Sequence, residues 1–147
     1  MKKNFWNKKK ILITGSSGFV GKNLKIYLKK YLKSSNYKIL EPERTELDLL
    51  DKDRTEFYFK KHKPDLVIHL AGKVGGINAN KTMPATFYYE NNVINTNLLH
   101  SCYLYKVKKV VSLGAGCAYA DNLKQPLNER DLWHNKPNEN LIGYSIQ

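Results

Sequence analysis

Apolar residues fall in short blocks separated by polar stretches rich in glycine, proline and charge. Lys10–Thr14 (KILIT) is a compact branched run and predicts a buried strand. Phe19–Lys33 follows, with Val20, Leu24, Tyr27, Leu28 and Tyr31 recurring at helical spacing on one face, and Ser34–Asn36 closes it. Tyr37–Leu40 predicts a second strand, Glu41–Thr45 a loop around Pro42, and Leu47–Leu49 a very short third strand or a bend. Asp51 is placed to cap a helix running to about His62, with Phe57 and Tyr58 facing inward and Lys63-Pro64 ending it. Asp65–Leu70 (DLVIHL) is apolar almost throughout, as a parallel strand buried on both faces should be. Ala71–Met83 predicts a glycine-bearing loop, and Pro84 opens a long helix to Tyr105. Lys108–Leu113 predicts a last strand, and Gly114–Asn140, with Pro126 and Pro137, is mostly loop.

Strands alternating with helices imply an α/β fold: a doubly wound, Rossmann-like parallel sheet joined by right-handed crossovers. Residues 10–147 are expected to form one such domain behind a flexible basic tail, 1–9. Ligands of such sheets bind at the carboxyl ends of the strands. The loops Gly15–Gly21, Glu41–Arg44, Ala71–Ile77 and Gly114–Tyr119 should therefore converge.

The first of these loops carries the chemistry. Gly15, Gly18 and Gly21 stand between the first strand and the first helix, in the spacing G-x-x-G-x-x-G. Gly15 permits a tight turn, Gly18 lets the backbone approach a pyrophosphate, and Gly21 lets the helix pack closely. The helix start then turns free N–H groups and a positive dipole end toward phosphate.

Composition narrows the rest. The chain has 147 residues, 41% of them hydrophobic, which suits a single globular domain with a sizeable core. It has no apolar run long enough for a membrane span and no apolar signal core behind the basic N-terminus, so a cytoplasmic protein is expected. Cys102 and Cys117 show no metal-ligand spacing, and no metal is expected. The net charge of +12 is spread over helix faces, with only Lys2, Lys3, Lys8, Lys9 and Lys10 clustered, and no zinc-finger or RNA-recognition pattern accompanies it. A solvated lysine-rich surface is the expectation, not nucleic-acid binding.

Near the end stands Gly143-Tyr144-Ser145. A tyrosine becomes a useful proton shuttle beside a lysine four residues on, on the same helix face. That partner would be residue 148, beyond Gln147.

Together, ILITGSSGFVG, RTELDLLD, KVGGI at Lys73–Ile77, FYYENNVINTN at Phe87–Asn97, LGAGCAY at Leu113–Tyr119, QPLNE and GYS give the chain its kinship. It resembles the N-terminal half of the extended short-chain dehydrogenase/reductases, most closely the NADPH-dependent epimerase–reductases that make GDP-L-fucose. The resemblance implies that Gly15, Ser16, Ser17, Gly18, Phe19, Val20 and Gly21 hold the pyrophosphate, and that Arg44 meets the 2′-phosphate of NADPH. Asp48 and Leu49 would lie near the adenine. Ala71 and Gly72 would line the cofactor cleft, with Leu113, Gly114, Ala115 and Gly116 on the nicotinamide side. Cys117 would exchange a proton beside a ketone, and Tyr144 would protonate the reduced oxygen. The implied substrate is a nucleotide sugar, GDP-4-keto-6-deoxy-mannose, with another nucleotide-sugar epimerase or dehydratase as the neighbouring possibility.

Several positions depart from that pattern. Ala115 stands where a substrate-binding serine is expected, although its interval to Tyr144 fits. The lysine partner of Tyr144 and the family's histidine acid fall outside the chain, and His62, His69, His100 and His134 do not map to the latter. Ser17 replaces a frequent arginine. Glu41, at the end of the second strand, favours NAD(H), whereas Arg44 favours NADP(H). The resemblance tips the expectation to NADP(H), with NAD(H) open. Ending at Gln147, within the expected catalytic helix, the chain reads as truncated before the substrate domain and is expected to be inactive alone, a non-catalytic cofactor-binding fragment being the other reading. Intact relatives dimerise through the helix matching Pro84–Tyr105 and the one begun at Tyr144, so a stable homodimer is not expected here.

Overall fold

A computed structural model of the chain describes residues 5–32, 36–133 and 136–145. The start of the expected tail with Lys2 and Lys3, the helix end at Ser34 and Ser35, His134 and Gln147 lie outside them. The elements are β1 (Lys9–Thr14), α1 (Phe19–Tyr31), β2 (Tyr37–Leu40), α2 (Lys52–His62), β3 (Leu66–His69), α3 (Ile77–Thr82), α4 (Pro84–Leu104), β4 (Lys109–Ser112) and α5 (Ile142–Ser145). Three short 3-10 turns, Gly116–Ala118, Glu129–Trp133 and Glu139–Leu141, precede α5. Among the described residues no helix is long and apolar enough to cross a membrane.

The chain divides into two compact units, Met1–Gly72 with Ile94–Leu113, and Lys73–Val93 with Gly114–Gln147. The first holds the sheet. Its order is β2-β1-β3-β4, with every pair parallel. Leu12 registers with Leu40 on one side and Val67 on the other, and Val67 registers with Val110. The chain leaves β1 toward β2, then returns past it to β3. The order therefore reverses at β1, the place where such sheets bind ligands.

Period-two alternation splits β1 between two cores. Leu12 packs with Leu40, Tyr58, Phe59, Val67 and Leu98 on one face, while Ile11 and Ile13 pack with Leu28, Leu32 and Leu66 on the other. Ile11, Leu12, Ile13 and Phe59 are fully buried, each contributing about 1.5–3 kcal/mol of apolar burial. β4 forms one margin of the sheet, and its Val111 is 45% exposed.

α2 starts and stops as its sequence dictates. Asp51 Oδ accepts from Arg54 N at 3.0 Å, and Lys63, left-handed at φ 49°, returns its N–H to Phe59 O. Three expectations need correction. Phe57 is exposed; the inward stripe runs through Thr55, Tyr58 and Phe59. In α1, Val20, Tyr27 and Tyr31 are exposed, because the helix meets its neighbours along Gly21 and Leu28, a stripe that passes through a glycine. Of the two readings of Leu47–Leu49, the bend stands and the strand does not; its two leucines are buried from a turn. Residues 77–82, expected as loop, form α3, whose Asn80 Nδ2 donates to Gly75 O and Gly76 O, both at 3.1 Å.

Candidate functional site

In the first unit, parallel pairing brings the residues after β1, β2, β3 and β4 to one edge of the sheet. The turn after β1 is built on glycine. Gly15 sits at φ +67°, and a Cβ there would lie 2.8 Å from Ala71 N and from the Leu70 carbonyl. A Cβ on Gly21 would come within 2.4 Å of Gly15 O and 2.6 Å of Ser16 Cα, so α1 packs directly on the loop's own backbone. Gly18 differs: its Cβ would meet only Gly15 O, at 3.3 Å. Space therefore lies on the side of Gly18, where a phosphate would come.

The start of α1 suits an anion. Gly18 is the N-cap, no side chain caps the helix, and its first turn holds no acid. Lys22 N closes onto Gly18 O at 2.9 Å. The N–H groups of the residues before it have no carbonyl within the helix and carry the positive end of its dipole. Ser16 is buried, whereas Ser17, Phe19 and Val20 face outward.

Arg44 opens a tight turn in which Glu46 N and Leu47 N both donate to Glu43 O at 3.0 Å. Its side chain is 75% exposed, and Nε lies 3.4 Å from Asp48 Oδ2. Asp48 Oδ1 accepts from Leu50 N at 3.1 Å, so this carboxylate shapes the turn. Leu49 buries its side chain in the core, and its carbonyl accepts from Asn97 Nδ2 at 2.9 Å.

Leu70 and Ala71 are held by a buried relay that sequence reading missed. Thr14 Oγ1 accepts from Leu70 N at 3.2 Å and from Ala71 N at 3.3 Å. Its own proton therefore goes to His69 Nδ1, 2.7 Å away, and His69 Nε2–H donates to Asn95 Oδ1 at 3.0 Å. Burial pushes the His69 pKa below its ordinary value, partly opposed by the bond to Asn95. Leu113 extends the β3–β4 ladder, its N–H donating to His69 O at 3.2 Å.

In the second unit, the KVGGI loop is clamped by α4. Asn91, 3% exposed, accepts from Lys73 N at 2.7 Å and donates to Lys73 O at 3.0 Å. Lys73 Nζ meets Glu90 Oε1 at 2.7 Å, and a Cβ on Gly75 would lie 2.8 Å from the Phe87 ring. Gly143 packs so tightly that a Cβ would sit 2.4 Å from Pro84 O. This docking brings Tyr144 and Ser145 to the turn that holds Cys117: Ser145 Oγ is 3.3 Å from Cys117 Sγ and donates to Leu141 O at 2.9 Å. Tyr144 and Cys117 are both half-buried. Gly114, Ala115 and Gly116 belong to this unit, while Gly15–Gly21, Arg44, Asp48, Leu49, Ala71, Gly72 and Leu113 belong to the first. Ser145 and Asn91 also escaped sequence reading. The available signal was a set of asparagines at 91, 92, 95 and 97 within one long helix.

Residues 11–146 match the NAD dependent epimerase/dehydratase family. A GDP-L-colitose synthase of Yersinia pseudotuberculosis is 37% identical over 137 residues, which are 93% of this chain and 43% of that protein. A GDP-L-fucose synthase of Escherichia coli K12 is 35% identical over 126 residues, 86% of this chain and 38% of that protein. The crystal structure of a Naegleria fowleri GDP-L-fucose synthetase bound to NADP superposes with a TM-score of 0.83 at 30% identity, covering 94% of this chain and 40% of that one. The chain thus spans about two fifths of the length of the relatives it matches. With the glycine turn, the parallel sheet reversing at β1 and a match over nearly its whole length, the chain belongs to the NAD dependent epimerase/dehydratase family.

Proposed function

We propose that this chain supplies the cofactor-binding part of an NADP(H)-dependent nucleotide-sugar epimerase–reductase acting on a GDP-4-keto-6-deoxy-hexose. The observation that carries the proposal is the uncapped start of α1 behind Gly15 and Gly18, with its N–H groups free for a pyrophosphate. Gly15–Gly21 hold the linked phosphates, Arg44 meets the 2′-phosphate, and Ala71, Gly72 and Leu113 border the cleft. The cofactor, when bound, supplies hydride to a ketone carbon. Carbons beside that ketone are acidic, and Cys117 is the group that exchanges their protons. Tyr144 donates the proton that the reduced oxygen takes up. The names and NADP content of the relatives support the GDP-sugar and NADP(H) assignments. Two free cysteines suit the reducing interior of the cytoplasm, where we place the protein.

The test is direct. Titrating the purified chain into NADPH should change nicotinamide fluorescence saturably. Gly18→Asp should abolish the change while leaving the thermal melt in place, because it adds a carboxylate where the phosphates sit without touching the core. A wild-type chain that gives no saturable signal refutes the proposal. A panel of GDP- and dTDP-4-keto sugars, assayed one at a time for NADPH oxidation by the whole protein to which this part belongs, separates a GDP-sugar enzyme from an epimerase or dehydratase of another nucleotide sugar.

A further inference from the structure

Glu41 stands where the chain leaves β2. Leu40 registers with Leu12, so Glu41 emerges at the same edge as Thr14 and the Gly15 turn. An acid at this position, about 20 residues beyond the glycines, accepts hydrogen bonds from a ribose 2′-hydroxyl and repels a phosphate there. Left to itself it would select NAD(H). It is not left to itself. Lys25, one turn beyond Gly21 in α1, is ion-paired with Glu41 Oε2, their side chains being 23% and 47% exposed. Three residues on, Arg44 holds its guanidinium out to solvent.

We infer that Lys25 is a specificity-determining residue: by pairing with Glu41 it cancels the acid at the ribose position and leaves Arg44 to receive a 2′-phosphate. This inference rests on the NADP(H) reading above. It adds a residue from a different element, and it explains how one loop carries both an acid suited to NAD(H) and an arginine suited to NADP(H). Lys25 acts here as a partner for the acid, not as a phosphate ligand. Glu41 without its charge should therefore need no lysine.

Fluorescence titrations of the full chain with NADPH and with NADH test the claim. Lys25→Met, which keeps the aliphatic stem and removes the charge, should cut the preference for NADPH over NADH by about tenfold, the scale of a unit-charge contact partly screened by solvent. Adding Glu41→Gln to that variant should restore the wild-type preference. A Lys25→Met chain with unchanged preference overturns the inference, as does a double variant that stays as poor as the single one. If wild type binds both nucleotides and Lys25→Met changes nothing, only this inference fails. If wild type binds neither, the cofactor reading fails and takes this one with it.

Discussion

Thr14 has one hydroxyl proton, and three neighbours decide where it goes. Two backbone N–H groups, of Leu70 and Ala71, point at its oxygen, so the proton must leave toward His69. That fixes His69 as the neutral tautomer with hydrogen on Nε2, the form Asn95 Oδ1 accepts from. A second proton on Nδ1 would meet another donor and break the relay. The linkage to stability follows. His69 is buried and its pKa is lowered from 6.5, while the unfolded chain titrates near the ordinary value. Below that value the unfolded state binds the extra proton and the folded state resists it, so the contribution is complete above pH 6.5 and lost as pH falls toward the folded pKa. Thermal melts should drop as pH falls through about 6.5 and below. His69→Gln, which keeps hydrogen-bonding groups and does not titrate, should flatten that drop relative to wild type. His62, also lowered, by burial and then by Lys61, acts in the same direction.

At the scale of elements, the glycines of one turn do different work. Gly21 touches backbone, which cannot move aside, whereas Gly18 looks into open space beyond one carbonyl. Gly21→Ala should therefore destabilise the chain by about 1–3 kcal/mol through overpacking, and Gly18→Ala by less than about 1 kcal/mol, the cost of a poorer N-cap. Paired thermal or urea melts distinguish them. These contacts also explain what was legible. β1, α2 and α4 could be read from branched runs, the Asp51 cap and Pro84, because each signal is local. The face of α1 could be read only at Leu24 and Leu28, since its closest contact is made by a residue with no side chain. α3 could not be read: its residues lack an apolar stripe, and what holds it is an asparagine side chain bonded to two loop carbonyls. Asp51 announced its helix within four residues; Asn91 holds Lys73 from 18 residues away, and no local pattern reports such a partner.

On the scale of the whole molecule, alternation of strands and helices was enough to give parallel pairing, but not the order β2-β1-β3-β4 with its reversal at β1. The division of the chain into two units was not legible, because α4 is one unbroken helix whose halves belong to different units. Nor was the meeting of Ser145 with Cys117, 28 residues apart in sequence. The sheet's outer margin has a consequence of its own. β1 is laced to a neighbour on each flank, while β4 is laced to β3 alone among the described residues, and its Val111 faces water. In heavy water, β4 should take up deuterium well before β1, because half of its amides have no ladder to leave before they exchange. Mass spectrometry of peptides covering residues 9–14 and 109–112 reads that contrast: a labile border around a slow centre, with the cradle hung from the slow part.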